Sequence, residues 1–144
     1  MDEIRGSSVA DCVPVGRRRI VLIGGSDEFV NNYRRVLEYF GHEVKTTTNG
    51  YEGVELVKSS ETDVVLCSIV LDGLDGFEVA HEIRKTHPRK PLLVAHSGYS
   101  KRAIEESARS AGFDLYLPKA TGLNHLKMVL DSVDELTECE ELRF

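Results

Sequence analysis

Cysteine is scarce in this chain. There are three in 144 residues, Cys12, Cys67 and Cys139. An odd number at such wide spacing fits neither a disulfide framework nor a CxxC metal site, and it points to a reducing compartment, the cytoplasm. No apolar run approaches the roughly 18 residues of a membrane span, which excludes a transmembrane reading. The opening MDEIRGSSVADCVPVG lacks the basic end and apolar stretch of a secretory signal. Basic residues are the minority: 18 Lys and Arg against 24 Asp and Glu leave a net charge of −6. That balance argues against nucleic-acid binding. Internal repeats and low-complexity segments are missing too.

What remains is ordinary for a globular domain, with 41% hydrophobic and 29% charged residues. The length suits one core plus tails. Residues 1–17 read as a mobile tail, 18–135 as the domain and 136–144 as an acidic extension. Within the domain, Ile20-Val21-Leu22-Ile23 is a short apolar run closed by Gly24-Gly25, the mark of a strand buried on both faces. DEFVNNYRRVLEYFG then spaces Phe29, Val30, Tyr33, Val36, Leu37 and Phe40 as a helical stripe, with Ser26 or Asp27 to cap it and Gly41 to end it. The alternation repeats: HEVKTTT, DVVLCSIV, PLLVAHS and FDLYLP read as strands. Helices follow each, the second led by Asn49 or Gly50 and the last running from about Thr121 to Leu136. Five strands alternating with five helices predict an α/β, doubly wound parallel sheet. Chemistry in such sheets sits beyond the carboxyl ends of the strands, near Gly24-Gly25, Thr48-Asn49, Ser68-Ile69-Val70, Ser97-Gly98 and Pro118-Lys119.

Those positions, with AHSGYSKRAIEESARSAGFDLYLPKA (95–120) and LDGLDGFEVAHEIR (71–84), make the chain resemble the response-regulator receiver domain of two-component signalling. The resemblance covers about residues 18–135 and implies a (βα)5 flavodoxin-like fold. An active receiver, as that resemblance implies, carries an acidic pair after the first strand that helps to hold Mg²⁺. An Asp ending the third strand takes the phosphoryl group. Here the pair falls on Gly24 and Gly25 and the acceptor on Ser68. The rest of the motif remains. Ser97 matches the hydroxyl that contacts the phosphoryl group, Lys119 its ammonium partner and Tyr116 the aromatic switch residue, while Val70 keeps a backbone carbonyl. The Pro that usually follows the Lys is Ala120.

The expectation is a stand-alone pseudo-receiver, not an enzyme, with no metal and no cofactor. It would act through a protein partner at residues 100–135, without phosphorylation, nucleic acid or membrane, as a monomer or weak homodimer. Two alternatives stand beside it: a phosphorelay receiver using Ser68, and a binder of a small anion through Lys119, Ser97 and the Gly24-Gly25 amides. Ser68 has no evident activating base. Gly24-Gly25 is not a dinucleotide fingerprint, because GxGxxG is incomplete. Asp27 and Asp75 read as helix caps and Asp72 as a loop acid near the old site, while His96 reads as a surface or packed residue. Replacing Gly24, Gly25 and Ser68 by Asp is expected to rebuild Mg²⁺ affinity if the backbone keeps receiver geometry.

Overall fold

The computed structural model describes residues 17–87, 90–98, 102–118 and 123–132. The tail read at 1–16 and the acidic extension at 136–144 lie outside the described residues. The chain alternates β1 (Arg19–Ile23), α1 (Asp27–Tyr39), β2 (Glu43–Thr47), α2 (Gly50–Ser59), β3 (Val64–Cys67), α3 (Gly76–Thr86), β4 (Leu92–Ser97), α4 (Arg102–Ala111), β5 (Leu115–Pro118) and α5 (Leu123–Asp131). All strands are parallel, in the order β2-β1-β3-β4-β5. The order reverses between β1 and β3, so the crevice for a site opens at their carboxyl ends.

The apolar runs behave as doubly buried strands because helices cover both faces. On one face Val21, Ile23, Val65, Cys67, Leu93 and Ala95 pack against α2, α3 and α4. On the other, Ile20, Leu22, Val64, Leu66, Leu92 and Val94 meet Val30 and Leu37 of α1 and Leu126 and Leu130 of α5. Strand β2 lies at the sheet edge, which explains its exposed Glu43 and Lys45.

Helix starts are set by side-chain caps that satisfy free amides. Ser26 accepts from Phe29 N–H at 3.2 Å, so Ser26 is the cap of α1 and Asp27 its exposed first residue. Asn49 caps α2, and Asp75 forms a reciprocal capping box with Glu78. Helix α1 gives way to Gly41 at φ 101° and α4 to Gly112 at φ 119°, where a side chain would be strained. At the amino-terminal end of the sheet, Arg84 donates to Asp114 at 2.6 Å and to the Gly112 and His87 carbonyls at 3.0 Å each. Asp114 also accepts from Leu93 N–H at 2.9 Å, so the end of α3 is pinned to β4 and the approach to β5.

Candidate functional site

Gly24 and Gly25 follow β1, and Ser68 follows β3, the strand paired directly with β1. Ser68 N–H donates to Ile23 O at 2.8 Å, which holds the two strand ends side by side. The topology therefore brings the acidic-pair and acceptor positions together as a receiver would.

What fills the space is different. Gly24 is buried, and its N–H donates to Thr47 O at 3.1 Å. A Cβ on Gly24 would stand 2.6 Å from Val30 Cγ1 and 2.8 Å from Phe29 Cε2. Both distances are well inside van der Waals contact, so the aromatic ring occupies the volume that a carboxylate at this position would need. Gly25 is exposed, and a Cβ there would lie 3.1 Å from the Val70 carbonyl.

Phe29 is the first member of an aromatic cluster. Its ring lies 4.4 Å from that of Tyr33, which lies 5.2 Å from the His96 ring, and Phe29 and His96 are 5.9 Å apart. His96 is buried, 3% exposed, near the carboxyl end of β4. Its Nδ1 sits 2.8 Å from Leu117 O, and its Nε2 sits 2.9 Å from Tyr33 Oη. A carbonyl can only accept, so Nδ1 carries a proton. In the neutral ring Nε2 then accepts the Tyr33 hydroxyl proton. Burial pushes the Tyr33 phenol above its ordinary range and keeps that proton in place. The sequence reading placed His96 among ordinary packed or surface residues; the structure makes it the joint between α1, β4 and β5.

On the remaining positions, Ser68 is buried, and its Oγ has no hydrogen-bond partner among the described residues. The hydroxyl of Tyr116, which packs against the α2–α3–α4 core, is likewise buried without a partner among them. Ser97 ends β4 in register with Pro118, but its side chain lies outside the described part, as do Lys119 and Ala120. Val70 is 72% exposed. Asp72 is exposed, and its backbone bridges Asn49, with Gly50 N–H donating to Asp72 O at 2.9 Å. The neighbouring Cys67 thiol is fully buried, which raises its pKa and keeps it protonated and unreactive.

This donor set does not suit Mg²⁺. The ion takes carboxylates and water in tight octahedral geometry, whereas the strand ends offer a hydroxyl, a backbone carbonyl and an aromatic plug. Among the described residues no group of three or more His, Cys, Asp or Glu could hold a metal ion. Restoring acids at 24, 25 and 68 therefore meets an obstacle that the sequence did not reveal, because Phe29 and Val30 must give way first. The anion reading also loses one donor, since the Gly24 amide is already bonded to Thr47. Opposite this site, at the amino-terminal end of the sheet, an open groove of about 540 Å³ runs past Arg19, Lys58, Thr62, Asp63 and Lys90. Its acids Asp63 and Glu61 are engaged by Arg19.

Comparison with known proteins agrees with this fold. A family model described as the response regulator receiver domain matches residues 20–131. The response regulator MprA of Mycolicibacterium vanbaalenii is 32% identical over 110 residues, which are 75% of this chain and 46% of that protein. The MprA of Mycobacterium ulcerans is 29% identical over 125 residues, covering 85% and 53%. The chain thus spans about half the length of the curated relatives it matches. Among solved structures, a CheY-like receiver domain protein from Methanospirillum hungatei superposes with a TM-score of 0.75 at 21% identity, covering 85% of this chain and 98% of that one. The receiver domain of sensor histidine kinase PA1611 from Pseudomonas aeruginosa, described with a magnesium ion coordinated in its active-site cleft, gives 0.74 at 21%, covering 85% and 99%. At those identities the structures establish the shared fold. In addition, no helix among the described residues is long and apolar enough to cross a membrane.

Proposed function

We propose that this chain, which belongs to the response regulator receiver domain family, is a pseudo-receiver: a two-component signalling module that works through protein contacts without accepting a phosphoryl group. One observation carries the reading, the Phe29 ring seated over Gly24 where a receiver's acidic pair would begin. In-line phosphoryl transfer to a carboxylate needs a cation to offset repulsion between the attacking and transferring oxygens. Here Ser68 stands in place of the acceptor carboxylate, and Gly24 and Gly25 stand in place of the carboxylates that hold the cation. The module is accordingly not an enzyme, and it binds neither metal nor cofactor.

Use of Ser68 as a substitute acceptor is disfavoured by its surroundings. A hydroxyl needs a base or metal to become a nucleophile at neutral pH, and Ser68 Oγ is buried with no hydrogen-bonding partner among the described residues to take its proton. Anion binding at the strand ends is the second reading. The Ser68 hydroxyl, buried and unpartnered among the described residues, favours it, and the committed Gly24 amide weakens it.

The output surface is proposed to lie within residues 100–135. On α4, Arg102, Glu106 and Arg109 are exposed, and Arg102 and Glu106 approach only to 3.8 Å. Exposed mixed charge of this kind suits a modest, salt-sensitive contact in the cytoplasm better than an obligate apolar interface. It supports a monomer or weak homodimer and no nucleic-acid role.

The test is incubation with acetyl phosphate and Mg²⁺, read by intact mass, alongside a Mg²⁺ titration followed by amide shifts at residues 24–26 and 68–70. No adduct and no saturable shift are expected. An adduct mapped to Ser68, or a localised saturable shift, overturns the reading.

A further inference from the structure

The amino-terminal end of the sheet carries a charge pattern opposite to that of the chain. The chain has a net charge of −6, yet the groove of about 540 Å³ at this end is lined by Arg19, Lys58 and Lys90 against Glu61 and Asp63. A second hollow, of about 280 Å³, shares Arg19 and Asp63 with the groove and adds Arg17, Arg18 and Glu43. The two lie side by side, and cations outnumber acids on their walls.

The acids of the groove are already engaged. Asp63 accepts from Arg19 N–H at 2.8 Å and from Arg19 Nε at 3.2 Å, and Glu61 accepts from the same guanidinium. One arginine thus neutralises both. Lys58 and Lys90 are exposed, and neither has an ion pair among the described residues. Glu82 lies within electrostatic reach of Lys58, but its carboxylate accepts from Lys85 at 3.0 Å. The hydroxyl protons of the groove wall are engaged too: Ser60 Oγ donates to Leu56 O at 2.6 Å and Thr62 Oγ1 to Ser60 O at 3.3 Å. Ammonium groups are therefore what the groove presents to a ligand.

Their arrangement selects the chemistry of that ligand. A compact anion such as phosphate is held by donors that converge on one point. Here Lys58 stands in the last turn of α2, Lys90 in the α3–β4 connection, and Arg17 before β1 in the adjoining hollow. Charges strung along a surface match carboxylates strung along an extended chain, and contacts of this exposed kind steer association and weaken with salt. Glu43, which has no ion pair among the described residues, repels acids from the second hollow and directs such a chain to the Lys58–Lys90 side. A nucleic acid is disfavoured, because its unbroken row of phosphates would run on into Glu43 and a molecule of net negative charge.

We propose that this groove receives an acidic segment of a partner protein, with its carboxylates on Lys58 and Lys90. The surface is separate from the one at residues 100–135, and it does not depend on whether position 68 accepts a phosphoryl group.

The experiment titrates a labelled oligoglutamate peptide into the full chain at low salt, followed by fluorescence anisotropy and by amide shifts. Saturable binding is expected, with the shifts concentrated at residues 58–62 and 90. Lys58→Gln/Lys90→Gln should weaken it roughly three- to tenfold, and Arg35→Gln, which removes an exposed cation of α1 outside the groove, by less than about twofold. Raising the salt to physiological strength should weaken it further. No saturable binding, shifts centred elsewhere, or an equal loss in Arg35→Gln and the double variant overturns the proposal. Tighter binding of an oligothymidylate at the same residues also overturns it, by making nucleic acid the occupant. Should the double variant fail to fold, the position of the shifts on the unmodified chain decides.

Discussion

Phe29 packs over the backbone of Gly24 so closely that the two residues define each other: the ring sits where it does because position 24 has no side chain. The hypothetical Cβ would be 2.8 Å from the ring's Cε2. A side chain at position 24 and the Phe29 ring compete for one volume, so placing an acid there with Phe29 unchanged is unfavourable.

Gly24→Asp alone is expected to destabilise the fold by about 1–3 kcal/mol, the usual range for forcing atoms into a packed site. With Gly25→Asp and Ser68→Asp added, Mg²⁺ binding should still be absent by calorimetry. It should appear only when Phe29→Ala is included. Binding by the triple variant with Phe29 intact would refute the plug.

Ser68→Ala is expected to leave stability unchanged or raise it, by up to about 1–3 kcal/mol, because the hydroxyl removed is buried and unpaired among the described residues. Urea midpoints at constant m-value measure this. A loss above about 1 kcal/mol would show that Ser68 Oγ holds a stabilising partner.

His42 provides a pH test away from the site. Its Nδ1 accepts from Arg18 N–H at 3.0 Å, so the ring is neutral there. Burial, chiefly, lowers its pKa; Arg18 and Lys127 lower it further, against an opposing pull from Asp131. With the folded pKa below that of the unfolded chain, the unfolded state binds the proton first. His42's contribution is therefore intact above about pH 6.5 and is lost as pH falls from there through the folded value. His42→Gln should flatten that part of the stability profile; an unchanged slope would assign the decline to other groups.

Asp114→Ala should cost about 3–5 kcal/mol, since it removes the carboxylate that pairs with the Arg84 guanidinium, whose side chain is 14% exposed, and leaves Leu93 N–H without its carboxylate acceptor. Thermal unfolding of this variant beside Arg84→Met/Asp114→Ala measures how much of the loss comes from the cation that has lost its carboxylate.

Local signals carried most of the fold. Ile20–Ile23 and Val64–Cys67 could be read as strands because both faces are covered, so nothing polar interrupts them. Gly41 marked the end of a helix because it takes positive φ. The positions of Gly24, Gly25 and Ser68 followed from strand ends in the same way. The aromatic plug did not. Phe29 and Tyr33 lie on the same stripe as Val30 and Leu37, and periodicity cannot separate a residue that fills the core from one that fills a former site. His96 was equally hidden, because its partners stand 63 and 21 residues away and no spacing motif links them. The Ser26 cap was one of two adjacent candidates, and only the backbone decided between them.

The bridge between Asn49 and Asp72, with Gly50 N–H bonded to Asp72 O, closes the β2–α2 and β3–α3 loops onto each other. Two loops that would otherwise wander separately form one plate at the mouth of the sheet, with the exposed side chains of Tyr51 and Val70 standing on it. Loops tied together in this way have few alternative arrangements, so little ordering entropy is left to lose when anything covers them.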